Sequence, residues 1–128
     1  MIKLFTLIYN VIEPIVPCYA DHFPETEAKV YPYAEFKFPN VLSNDFTDEN
    51  ISDYNLLEID IWHNKGTDIR GIEEIVSAIH NELKALQYND EFMYVLVHPN
   101  EPYRLSLIDP VVHIQRRQLR YIVTSYNK

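Results

Sequence analysis

Alternation of apolar and polar positions picks out one unit of the chain, residues 55–86, around which the rest is arranged. In NLLEIDIWHN, Leu57, Ile59 and Ile61 leave one side while Glu58 and Asp60 leave the other. Period-two alternation of this kind predicts a half-buried strand. Asn64-Lys65-Gly66 breaks it, and Thr67 or Asp68 is placed to cap a helix by accepting from its free first-turn amides. Ile72, Ile75, Val76, Ile79, Leu83 and Leu86 then recur at spacings of three and four, one face of a helix over Asp68–Leu86. Arg70, Glu73, Glu74, Asn81, Glu82 and Lys84 take its other side. A strand followed by such a helix predicts a helix lying on the apolar face of a sheet.

The same rules divide the remainder. Ile2 to Glu13 reads as a helix with a wide stripe of Leu4, Phe5, Ile8, Val11 and Ile12, stopped by Pro14 and Pro17. Residues 18–32 read as a polar, proline-marked connection. Tyr33 to Asn40 alternates, with Ala34, Phe36 and Phe38 opposite Tyr33, Glu35 and Lys37. Asn40–Asp53 lacks periodicity and is long for a connection, a length usual for functional or mobile loops. Phe92–Val97 predicts a short strand, 98–102 a turn, and Tyr103–Ile108 a strand returning on it as a hairpin. Val112–Tyr126 closes the chain as a strand. The expectation is one α+β domain over 1–128: a mainly antiparallel sheet of four to five strands with two helices packed on one face.

Composition adds a charge asymmetry. The net charge is −8; residues 1–63 hold three basic and eleven acidic side chains, residues 64–128 eight of each. Asp45, Asp48, Glu49, Asp53, Glu58 and Asp60 fall in a stretch from Phe38 to Asn64 without Lys or Arg. Such a chain as a whole repels phosphate, and nucleic-acid binding calls for a basic footprint. The basic run Gln115–Arg120 splits its charges between two faces of a strand. Glu58, Asp60, Arg116 and Arg120 are expected on the uncovered sheet face or its edges. Plain solvation and contact with neighbouring subunits both fit that placement.

Catalytic chemistry finds little to stand on. His22, His63, His80, His98 and His113 show no short ligand spacing, so no metal site is expected. Cys18, the single cysteine, fits a reducing cytoplasm and no disulfide framework. Two glycines cannot build a glycine-based phosphate loop. The apolar start is interrupted by Asn10, Glu13 and Pro14, and reads as neither a signal nor a membrane span. The expectation is a non-enzyme without cofactor.

The order of elements and several phrases resemble one known family. YPYAEFKF after a proline-rich approach, LEIDIWHN, DIRGIEEIVSAIHNEL, and the late RRQLRYIVTSY resemble the tail-completion proteins of long-tailed bacteriophages and prophages, also called tail terminator or tail-to-head joining proteins. The resemblance spans nearly the whole chain from Ile2. It implies a virion structural protein, assembled in the host cytoplasm, that forms a hexameric ring at the head-proximal end of the tail. It further implies self-association (with the isolated chain as hexamer or monomer), contacts to the tail tube protein and to head-completion or connector proteins, and DNA only in passage. The contact residues it implies lie in the Asn40–Asp53 loop and the sheet: Asp45, Asp48, Glu49, Asp53, Glu58, Asp60, Arg116 and Arg120. The alternatives are a head-completion stopper or adaptor and, from another class, a small cytoplasmic enzyme.

Overall fold

The computed structural model describes residues 2–21, 24, 28–43, 51–91 and 93–127. Eight elements follow in order: α1 (Ile2–Ile12), β1 (Cys18–Ala20), β2 (Tyr33–Ser43), β3 (Ile51–His63), α2 (Arg70–Ala85), β4 (Gln87–Asn89), β5 (Met93–Ile108) and β6 (Gln115–Asn127). The strands form one six-stranded sheet in the order β1-β2-β3-β6-β5-β4. β1 runs parallel to β2, and every other pairing is antiparallel. The architecture is the expected α+β, with six strands in place of four or five.

The core lies between the helices and one face of the sheet. Leu4, Ile8 and Ile12 of α1 and Ile72, Val76, Ile79 and Leu83 of α2 are buried in one cluster with Phe36, Ile59, Ile61, Leu119, Tyr121 and Val123. The central strands β2, β3 and β6 contribute alternate residues to it, as a half-buried sheet requires, and β5 adds Val95 and Val97. Ile75 is only partly buried, at the margin of that cluster.

Four expectations are corrected. First, residues 18–32 contain an edge strand. Cys18–Ala20 pairs with Ala34–Phe36, and the pairing ends at Asp21, whose φ of 69° is the left-handed conformation that Asp tolerates better than most residues. Second, the Asn40–Asp53 loop is shorter than read. Residues 40–43 continue β2 and 51–53 begin β3, and 44–50 lie outside the described residues. Third, the helix begins at Arg70 with Ile69 as N-cap and no side-chain cap. Asp68, one residue before Ile69, does accept from the first helical amide, that of Arg70, at 3.2 Å, and also grips the Arg70 guanidinium at 2.9 Å.

The fourth correction is the largest. No hairpin forms at 98–102, because β5 is one strand whose two halves both pair with β6. Pro99 stands opposite Tyr121 and Arg104 opposite Leu119, so five steps on β5 match two on β6. Proline cannot donate to a ladder, and a bulge is where a strand accommodates it. Pro99 and Pro102 mark the bulge, and the alternation resumes beyond it. β4 was also not foreseen. It is held by Asp90, whose carboxylate accepts from the Met93 amide and the Tyr88 hydroxyl, both at 2.7 Å.

Two outcomes test this packing. Ile79→Ala, at a fully buried site, should lower unfolding free energy by about 2–5 kcal/mol in denaturant titration, and Ile75→Ala by less. Burial raises the pKa of Cys18, Tyr33 and Tyr121, with Cys18 reaching about 12 against an ordinary 9.0. Their neutral forms are favoured by folding, so that contribution is whole below the unfolded-state pKa values and is lost as the unfolded chain ionises. Stability should therefore decline above about pH 9, and a denaturation midpoint that is flat from pH 8 to 11 would contradict the burial of these groups.

Candidate interaction surface

The face of the sheet turned away from the helices is built in rows, one residue from each strand. In the first, Tyr33, Trp62, Arg116 and Leu107 lie in register across β2, β3, β6 and β5. Tyr33 stacks on Trp62 with centroids 5.0 Å apart and planes at 16°, and the Arg116 guanidinium sits 5.1 Å above the Trp62 ring. Tyr31 and Tyr19 flank Tyr33 at 5.4 and 6.5 Å, leaving it 1 % exposed. The polar strand face thus begins with a buried aromatic, which alternation alone assigns to solvent.

The second row holds Glu35, Asp60, Gln118 and Leu105. Asp60 is 4 % exposed and accepts from Arg116 at 2.9 Å and Gln118 at 3.2 Å. In the third, Lys37 and Glu58 approach to 3.8 Å, and Glu58 stands opposite Arg120. Arg120 donates to the Pro102 carbonyl at 3.2 Å. Beyond them Leu56 and Ile122 share a row with His98, and Leu96 stands opposite Thr124.

Glu58, Asp60, Arg116 and Arg120 are therefore brought together, but inside one chain. β3 and β6 are neighbours in the same sheet, so Asp60 and Arg116 satisfy each other without a second subunit. Asp53 is placed by its backbone alone, opposite Ser43 and Ser125. Asp45, Asp48 and Glu49 lie outside the described residues.

The helix side carries polar contacts that are structural in kind. Glu73 of α2 receives Arg117 at 3.0 Å and is also paired with Arg104, joining the helix to β6 and β5. His80 Nδ1 lies 2.8 Å from the Tyr121 hydroxyl, and its ring stacks on Tyr103 at 4.5 Å. Gln115 donates to the Gly66 and Asp68 carbonyls, both at 2.8 Å, fixing the approach to α2. His63 fills the space beside Gly71, where a Cβ would come within 3.1 Å of its ring. Cys18 is buried, and burial together with the Glu13 carboxylate holds its thiol protonated, the opposite of a nucleophile's environment. Among the described residues, no three His, Cys, Asp or Glu side chains are grouped to hold a metal.

Two other features are open to partners. Both outer strands are three residues long, so β1 covers only 34–36 of β2 and β4 only 94–96 of β5. Lys37–Ser43 and Val97–Ile108 are left as free edges among the described strands, and free edges are templates for pairing. The second feature is the turn after β5, where Ile108 is 97 %, Val111 48 % and Val112 98 % exposed. Sequence reading missed it, although two valines directly after an Asp-Pro turn are the available signal.

The face makes a graded prediction. Asp60→Ala leaves Arg116 without its carboxylate and should cost about 1–3 kcal/mol in denaturant unfolding. Glu58→Ala removes a solvent-screened pair and should cost less than about 1 kcal/mol. Equal costs would mean that the two pairs do not differ in burial as described.

No family model matches this chain, and no curated protein is significantly similar to it.

Proposed function

We propose that this chain is a phage or prophage structural subunit that ends the tail tube and joins tail to head as a hexameric ring. The observation that carries the reading is the pair of edges left free among the described strands on opposite flanks of one sheet, Lys37–Ser43 and Val97–Ile108. A ring subunit between two assemblies must present different surfaces in several directions, because it meets like neighbours and unlike ones at once. Free strand edges supply backbone donors and acceptors for that, and half-buried Leu56, Leu96 and Ile122 on the open face supply area. The resemblance of the sequence phrases to tail-completion proteins supplies the particular assembly.

The charge supports the same reading. DNA passing a ring must slide, and a strongly acidic subunit repels phosphate where a basic one would grip it. The internal pairing of Asp60 with Arg116 moves the expected register-setting charges away from these four residues. Affinity then rests on edges and apolar surface, with weak self-association strengthened by the finished tube through mass action.

Deletion of the gene from its phage, followed by electron microscopy of the lysate, tests the proposal. Tails of uncontrolled length beside unattached, DNA-filled heads are expected. Tails of normal length with empty, leaking heads would overturn it in favour of a head-completion stopper.

A further inference from the structure

The outer edge of β5 divides at its bulge. β4 covers 94–96, Pro99 and Pro102 lie in the bulge, and beyond it Tyr103–Ile108 reads YRLSLI, with neither proline nor glycine. Arg104 is the one charge in that segment, and Glu73 already pairs with it. The alternation of hydrogen bonds across the sheet decides which backbone groups this edge offers. The Ala34 amide donates to the Pro17 carbonyl and the Phe36 carbonyl accepts from the Asp21 amide, so those two residues face β1. Along a strand, backbone groups turn to alternate sides, and hydrogen-bonded antiparallel residues turn toward each other. Carried through Glu35–Asp60, Ile59–Leu119 and Gln118–Leu105, the alternation turns Leu105 and Leu107 toward β6. Arg104, Ser106 and Ile108 therefore point their N–H and C=O groups outward, where no described strand meets them.

These three positions are self-complementary. We infer that two copies of the chain pair antiparallel through this edge, about a two-fold axis at Ser106. Ser106 then exchanges bonds with its counterpart, and each Arg104 exchanges bonds with the Ile108 of the other copy, as hydrogen-bonded pairs do. On the open face each Leu105 stands against the other copy's Leu107, and Ile108, 97 % exposed in the single chain, gains a strand beside it. An axis at Leu105 would form fewer bonded pairs, because Pro102 cannot donate, and an axis at Arg104 would set like charges opposite each other. So short a contact buries less than the ~1,000 Å² of a stable interface, and the dimer is weak. The inference goes beyond the proposed ring and does not rest on it: a chain paired in this way withholds one of its two edges from every other partner.

Sedimentation equilibrium of the full chain tests it, and the wild type should show a monomer–dimer equilibrium. Ser106→Pro removes the central outward donor without touching a bond to β6. It should weaken the dimer by about tenfold or more while leaving the thermal midpoint in place. Two substitutions at the exposed Ile108 give a second measurement that spares the ladder. Ile108→Lys sets like charges opposite Arg104 and Ile108→Glu sets opposite ones, so the Glu variant should dimerise roughly tenfold more tightly than the Lys variant. A wild type that stays monomeric up to its solubility limit overturns the pairing, and so does a dimer that a folded Ser106→Pro variant leaves unchanged. Equal affinities of the two Ile108 variants overturn the axis at Ser106. A closed hexamer that survives Ser106→Pro overturns the pairing and leaves the ring.

Discussion

The antiparallel pairing of β3 with β6 is the constraint on which the rest depends. It brings together residues about sixty apart and aligns twelve positions, from Ile51–Tyr126 to His63–Gln115. On one side the ladder presents Leu57, Ile59, Ile61, Leu119, Tyr121 and Val123, the floor on which α2 lies, with α1 packed beside it against α2 and β1. On the other it joins Trp62 to Arg116, Asp60 to Gln118 and Glu58 to Arg120. A slip of β3 by one residue would send Asp60 into the core and Ile59 into water. The burial of Asp60 against Arg116 acts against such a slip, since an unpaired carboxylate at that depth is costly. Register is thus specified from both faces.

How much of this was legible follows from periodicity. β3 and α2 were legible because each carries enough repeats of one period over a continuous stretch. α1 was legible for the same reason, stopped by its prolines. β1 and β4 were not, because three residues contain no period to read. β5 was misread because Pro99 and Pro102 are turn residues locally, while the preference that decides is tertiary: both flanking halves complement one long partner, β6. The helix start was misplaced by a residue or two because Ile69 holds the N-cap position, while Asp68 reaches the Arg70 amide from one residue further out. The candidate surface was half legible. Alternation places Glu58, Asp60, Arg116 and Arg120 on one face, but nothing in a sequence says that β3 and β6 adjoin, and hence that two of these charges neutralise each other.

Tyr33 shows where burial and alternation part. Its position on the strand is a solvent position, yet Tyr31, Tyr19 and Trp62 close over it. Clustered aromatics cover their own row, and Arg116 completes it by lying on Trp62 while its donors serve Asp60. One end of the open face is therefore satisfied internally, by stacking and by a shared guanidinium. The opposite end carries half-buried Leu56, Leu96 and Ile122 beside His98 and Thr124.

Free strand edges are ordinarily a hazard, because any extended chain can pair with them. Here each carries an interruption that limits promiscuous pairing: Pro39 within the free stretch of β2, and Pro99 and Pro102 at the bulge of β5. A partner must tolerate missing donors at those points, which excludes a generic strand and admits one shaped for the site.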